Sequence, residues 1–187
     1  TISSGHFIAN IIKSAKYILV LPSKQMLFLI TSSSIASSSP ISTSKFGLGN
    51  QNDSFKTPLG LHYISDKIGN DAPKMTIFRG RKTLKGELTL SDLDLPENKE
   101  IRNKHFLSHE DVITSRILWL KGHEEGINKG KNIDSYSRYI YIHGTAHEDK
   151  IGTPASHGCV RMNNDDVIEL FNNTFIGMPV LISDLTD

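Results

Sequence analysis

Two short apolar runs, Tyr17-Ile18-Leu19-Val20-Leu21 and Met26-Leu27-Phe28-Leu29-Ile30, flank the polar break Pro22-Ser23-Lys24-Gln25. Runs of this length around a proline-bearing turn predict a β-hairpin. The segment from Thr31 to Ser44 has the serine content of a flexible linker. Ile35 and Ile41, with Thr31 and Thr43, nevertheless give it strand character, and a further strand is expected there. Gly47, Gly49 and residues 50–53 read as a loop, and Thr57-Pro58-Leu59-Gly60 as a turn in which Pro58 and Gly60 need no chemical role. Leu61-His62-Tyr63-Ile64, Val112 to Leu120, Arg138 to His143 and Met178 to Ser183 read as strands. Only Asp165 to Phe171 has helical spacing; Asn164 suits its N-cap, and the carboxylates of Asp165 and Asp166 favour its first turn. Residues 65–111, punctuated by Gly69, Pro73, Gly80, Gly86 and Pro96, read as an insertion or lid bordering a cleft. The expectation is a mostly β domain with one or two short helices.

At 187 residues the chain suits one domain with a substantial core. A formal charge of +1 leaves no basic excess to neutralise phosphates, which excludes nucleic acid as the default partner. Lys13, Lys16, Lys24 and Lys45 all precede the first acidic residue, Asp53, and read as a solvated face. One cysteine excludes an intrachain disulfide and says little about compartment. The apolar stretch from Ile11 to Ile30 is interrupted by Lys13, Lys16, Pro22, Lys24 and Gln25, so no membrane span is expected. The N-terminus lacks the basic, apolar and small-residue order of a signal peptide. A cytoplasmic location is expected if the chain is complete, and a periplasmic or envelope location if an upstream signal has been removed.

The lone cysteine stands in Ala155-Ser156-His157-Gly158-Cys159-Val160-Arg161-Met162, downstream of Tyr141-Ile142-His143-Gly144-Thr145. A thiol with pKa near ~8.5 needs a base to be nucleophilic at neutral pH. A histidine ending one strand can face a cysteine on its neighbour, which makes His143 the better base. Its second ring nitrogen then needs an acceptor, expected to be a backbone carbonyl near Gly144. Gly158 lets backbone approach a reacting carbonyl, and the N–H groups of Gly158 and Cys159 are candidate oxyanion donors. If the segment is extended, Arg161 shares a face with Cys159 while Val160 and Met162 point into the core. A guanidinium there could lower the thiol pKa and clamp a substrate carboxylate. His157 either shapes the oxyanion region or is a packed structural histidine. Ser156 is expected to brace the turn.

These motifs, with Ser42-Thr43, Phe55-Lys56-Thr57-Pro58-Leu59-Gly60, Asn164-Asp165-Asp166 and Val180-Leu181-Ile182, resemble the L,D-transpeptidase catalytic domain, also called YkuD-type. The resemblance spans roughly residues 17–64 and 112–183. It implies a β-sandwich or barrel of mixed strands, with residues 1–16 an N-terminal extension and 17–187 the catalytic domain. It implies Cys159, His143, His157 and Gly158 as catalytic residues, and Arg161, Gly144 and Ser156 as substrate-binding ones. The implied reaction is acyl transfer on peptidoglycan tetrapeptide stems, cleaving the bond from the L-centre of a diamino acid to terminal D-Ala through a thioester. Water resolves it in an L,D-carboxypeptidase, and an amine gives a 3-to-3 crosslink. No cofactor is implied. Stem peptides or muropeptides are the expected partners, carbapenems the expected inhibitors, and a monomer the expected state.

Two other classes stay open: a non-catalytic module that binds wall peptides, and a zinc hydrolase using His143, His147, His157 and Cys159. Against zinc stand the absence of a second cysteine and of an acidic ligand at familiar spacing. His147, the Lys121 to Glu125 turn, and His105 and His109 with Glu110 and Asp111 read as exposed. Tyr139 and Tyr141 read as half-buried packing on one strand face, and Trp119 as either core or cleft rim.

Overall fold

In the computed structural model the described residues are 16–32, 34–84, 86–106 and 111–184. Lys13, His109, Glu110 and all but the last residue of the expected N-terminal extension lie outside them. The hairpin forms as expected: β1 (Lys16–Leu21) pairs antiparallel with β2 (Met26–Thr31). A short 3-10 turn, Pro22–Lys24, joins them. Gln25 follows it in the left-handed region and is buried; its Nε2 donates to Pro22 O and Thr43 Oγ1 while its Oε1 accepts from Thr43 N. The serine-rich segment is β3 (Ser34–Ser42), antiparallel to β2. Its serines lie largely towards solvent, and Ile41 closes into the core.

After the Thr57-to-Gly60 turn, β4 runs from Gly60–Ile68, further than the sequence suggests, so that residues 65–68 belong to the sheet. β5 (Ile77–Arg79) and β6 (Lys82–Thr83) form a small hairpin. Helix α1 (Lys99–Phe106) precedes the long strand β7 (Ile113–Gly122). β8 (Tyr141–Thr145), β9 (Val160–Met162), helix α2 (Asn164–Asn172) and β10 (Pro179–Ile182) complete the described elements. The strand expected over Arg138 to His143 therefore starts late. Tyr139 lies in the preceding turn with φ 56° and is exposed, so it does not alternate with Tyr141.

The ten-strand sheet has the order β4-β10-β1-β2-β3-β9-β8-β7-β5-β6, and an added β4–β7 pairing closes its first eight strands into a ring. The strands are mixed: β1 with β10 and β8 with β9 are parallel, and the rest are antiparallel. Closure removes the unpaired strand edges that would otherwise be exposed. The main core lies inside it. Ile18, Val20, Leu118, Leu120, Ile142, Val160, Met162, Val180 and Ile182 are fully buried there against Val167, Leu170 and Phe171 of α2.

The C-terminal half of β7 pairs with β4, and its first residues, Ile113 and Thr114, pair with β5 instead. The 69–112 segment thus attaches where β7 outruns β4. It has a separate small core of Ile77, Leu93, Ile101 and Val112, with Leu84, Leu88 and Leu90 packed on it. The sequence missed this because its apolar residues are scattered over two short strands and several turns, with no sustained period.

Asn164 was expected to cap α2, but Asn163 holds the N-cap position. Asn164 is inside the helix, fully buried, and ties three elements together. Its Oδ1 accepts from Thr114 Oγ1 (2.7 Å) and Ser115 Oγ (2.6 Å) at an irregularity in β7 where Ser115 has φ 63°. Its Nδ2 donates to Thr145 O (3.0 Å) at the end of β8 and to Glu148 Oε1 (2.8 Å). Replacing it by Ala orphans several buried polar groups at about 1–3 kcal/mol each. Asn164→Ala is expected to cost roughly 3 kcal/mol or more of unfolding free energy by denaturant titration. A cost under about 1 kcal/mol would show that the network is not a structural tie.

His62 in β4 is fully buried with Nδ1 3.0 Å from Gly60 O and Nε2 2.9 Å from Ser135 Oγ. Burial is the main cause that lowers its pKa to about 4; the Gly60 carbonyl opposes this and Arg138 adds to it. The unfolded ring protonates near ~6.5, so the stability from a neutral His62 is present above that pH and lost as pH falls towards 4. Unfolding free energy should drop by about 3 kcal/mol over that window through this residue. Thermal unfolding of wild type and His62→Gln across pH 7.5 to 4.5, the variant showing the flatter profile, checks this.

Candidate active site

The site is built on the parallel pair β8–β9, whose register sets Ile142 beside Val160, His143 beside Arg161 and Gly144 beside Met162. Alternation along each strand sends Ile142, Val160 and Met162 into the core, as the sequence indicated for the last two. His143 and Arg161 take the opposite face. Tyr141, two residues earlier in β8, shares that face, and Cys159, in the bend just before β9, packs against the cluster that contains Tyr141. Gly144 is close-packed: a Cβ there would lie 2.6 Å from Thr114 O and 2.8 Å from Asn164 Oδ1.

His143 is only 1% exposed, and its Nδ1 lies 2.8 Å from Gly144 O. A carbonyl only accepts, so Nδ1 carries the proton. This is the orienting carbonyl expected from sequence. Nε2 faces Asp111 Oδ2 at 3.3 Å. Burial lowers the imidazole pKa; the Asp111 charge and the Gly144 carbonyl oppose it, and Arg161 reinforces it.

Cys159 is half-buried and packs against the cluster formed by Ala72, Phe78, Ile117, Trp119 and Tyr141. Its sulfur bonds to backbone: the thiol donates to Tyr139 O (3.4 Å) and Sγ accepts from Tyr141 N (3.4 Å). Burial pushes the thiol up to about 12, and Asp111 adds to this, while the Tyr141 amide, Arg161 and Arg138 pull the other way. Cys159 is thus a neutral thiol at neutral pH. It lies diagonally across the strand pair from His143, and the hydrogen bonds of each side chain go to other partners.

The remaining predicted residues fall in three places. Arg161 is buried, and its Nε donates to Asp111 Oδ2 at 2.6 Å. Its charge reaches Cys159, but this edge of its guanidinium is committed within the protein. Ser156 is fully buried and braces the turn: its Oγ donates to Cys159 O (2.6 Å) and accepts from Gly158 N (3.2 Å). Gly158 has φ 124°, in the region that favours glycine, and its amide is engaged in that brace. His157 is exposed, its ring centroid 5.6 Å from that of Phe46 and 6.1 Å from that of Phe55. Among the described residues no three His, Cys, Asp or Glu side chains form a metal-holding group. His147 is exposed.

A cavity of about 270 Å3 opens beside the turn that leads to Cys159, lined by Phe55, Arg138, Tyr139, Ile140 and His157 among others. Arg138 is anchored by donating to Gly49 O, Asn50 O and Lys56 O. Beyond Tyr139, Trp119 stacks on Tyr136, with ring centroids 4.0 Å apart. Arg81, from the β5–β6 turn, lies over Trp119 and Tyr139 and donates to Tyr141 Oη. Trp119 is thus buried beneath a cation on the cysteine's side of the molecule.

Asp111, Arg138 and Arg81 were not singled out by the sequence. Asp111 was read with an exposed polar loop, whereas its side chain is 16% exposed and paired. The available signal was a carboxylate abutting a strand that could pair with the histidine-bearing one.

The YkuD family model, the L,D-transpeptidase catalytic domain, matches residues 15–182, and the chain belongs to this family. YqjB of Bacillus subtilis (strain 168), a protein placed by name among the L,D-transpeptidases, is 49% identical over 47 residues, covering 25% of this chain and 27% of YqjB. Among solved structures, L,D-transpeptidase 3 from Mycobacterium tuberculosis in complex with a faropenem-derived adduct aligns over 91% of this chain and 60% of its own. Its TM-score is 0.53 at 14% identity. An L,D-transpeptidase from Mycobacterium smegmatis aligns over 90% and 58%, with TM-score 0.50 at 13% identity. These likenesses show a shared fold, and the chain spans less than two thirds of each relative's length.

A neutral sulfur makes a kinetic prediction. The rate of Cys159 alkylation by iodoacetamide should keep rising with pH beyond 9, because the thiolate fraction grows throughout. A plateau reached near pH 7, monitored by mass spectrometry, would instead indicate a preformed thiolate.

Proposed function

We propose that the chain is a cysteine acyl-transfer enzyme acting on peptidoglycan tetrapeptide stems. The observation that carries this reading is the β8–β9 register, which sets His143 beside Arg161, two residues beyond Cys159, with Nδ1 of the histidine held by Gly144 O. Nε2 is thereby left as the nitrogen with a free lone pair. It takes the proton of Cys159 as Sγ attacks the carbonyl carbon at the L-centre of the diamino acid. The C–N bond to D-Ala breaks, the proton passes to the leaving amine, and a thioester remains on Cys159. Water or the amine of a second stem then attacks the thioester, giving its proton to His143 and restoring the thiol. The first outcome is L,D-carboxypeptidation and the second a 3-to-3 crosslink.

A neutral thiol suits this scheme, because proton loss is coupled to attack and needs no separate ion pair. The Arg138 cavity and the Arg81 aromatic shelf flank the sulfur and offer cationic and stacking contacts for an anionic peptide. The 69–112 segment supplies the Arg81 wall of this cleft. Family membership supports the substrate class, and related folds solved with imipenem and with a faropenem-derived adduct support acylation by carbapenem-type compounds.

Purified protein incubated with disaccharide-tetrapeptide and followed by mass spectrometry tests the reading. Tripeptide product means hydrolysis and a crosslinked dimer means transfer. Cys159→Ala is expected to abolish both while keeping peptide binding. Turnover that survives this change would overturn the assignment.

A further inference from the structure

His143 presents an unusual environment for a base. Its Nδ1 edge meets the Gly144 carbonyl and its Nε2 edge meets the Asp111 carboxylate, so both nitrogens face groups that can only accept. A neutral imidazole can donate to one of them. The shorter contact, 2.8 Å to Gly144 O, takes that proton, and the Nε2 lone pair is left 3.3 Å from a carboxylate oxygen. This contact is unfavourable until Nε2 gains a proton, and then becomes a charge-assisted hydrogen bond.

Asp111 is built to stay there. Oδ2 also accepts from Arg161 Nε at 2.6 Å, and Oδ1 accepts from Thr145 Oγ1 at 3.1 Å. Arg161 lies beside His143 in the β8–β9 register, so the carboxylate is clamped from the neighbouring strand as well as from the histidine's own. We propose that Asp111 is a positioning residue for His143: its Oδ2 holds the Nε2 edge of the ring and accepts the hydrogen bond of the N–H formed when that nitrogen takes the proton of Cys159.

The proton balance follows the acyl transfer above, on which this inference rests. The thiol proton moves to Nε2, Asp111 accepts the new N–H as a hydrogen bond without being protonated, and the proton then leaves with the amine. The charged groups acting on His143 are Asp111, from the approach to β7, and Arg161, from β9, and they have opposite effects. The same pair acts on Cys159 and on His157. Asp111 strengthens the base and Arg161 moderates it.

That opposition separates positioning from bracing. If the Asp111–Arg161 pair only braced the strands, removing either partner would have similar effects. The proposal instead expects Asp111→Asn to move the His143 titration, read by NMR of labelled histidine, to lower pH, and Arg161→Gln to move it to higher pH. Asp111→Asn should also lower kcat on the tetrapeptide by about 10- to 100-fold, the scale of one charge-assisted hydrogen bond, with KM changed less than about twofold. Asp111→Glu should recover part of the loss. Titrations that move the same way or not at all, or an unchanged kcat in Asp111→Asn, overturn the proposal. If the wild type is inert towards stem peptides, the substrate assignment falls separately. The two NMR titrations, which need no substrate, still decide the role of Asp111.

Discussion

The parallel pairing of β8 with β9 is the constraint on which the site depends. It is short, yet it sets His143 level with Arg161, two residues beyond Cys159. A one-residue slip would send His143 and Arg161 inward and bring Ile142, Val160 and Met162 to the surface. The cost of exposing those core side chains locks the register, so the barrel interior enforces the geometry of the outer face. Asn164 secures the arrangement from behind by linking β7, the end of β8 and α2.

The electrostatics follow from the same placement. Packing Cys159 and His143 into the protein disfavours their charged forms and leaves a neutral pair. Asp111 opposes burial at the histidine and reinforces it at the cysteine, so one carboxylate makes the base stronger and the thiol harder to ionise alone. Under the proposed reading the stronger base favours proton transfer at the moment of attack, and the higher thiol pKa opposes it.

Much of the fold was legible because its strands carry local signals. The Tyr17–Leu21 and Met26–Ile30 runs, the alternation before Leu120 and the apolar end at Val180 to Ile182 all emerged as strands. Ile35 and Ile41 correctly outweighed the serines around them. Tyr139 and Asn164 were misread because tertiary contacts override local preference: one turns into the left-handed region, and the other serves a buried network in place of a cap. The contact of His143 with the Gly144 carbonyl was readable from motif and chemistry. Asp111 was not, since nothing local distinguishes a paired carboxylate from a solvated one.

The site draws on two parts of the chain with different origins in the fold. Cys159 and His143 belong to the closed ring, whereas Asp111 and Arg81 come from the segment attached to the free half of β7. That segment has its own small core and also meets the ring through Ala72 and Phe78, which join Ile117, Trp119 and Tyr141 in the cluster against which Cys159 packs. Changes in its length and composition therefore reach the apolar surroundings of Cys159 as well as its own core. A graft between relatives at this junction would exchange the charged and apolar setting of Cys159 together, while leaving the β8–β9 register in place.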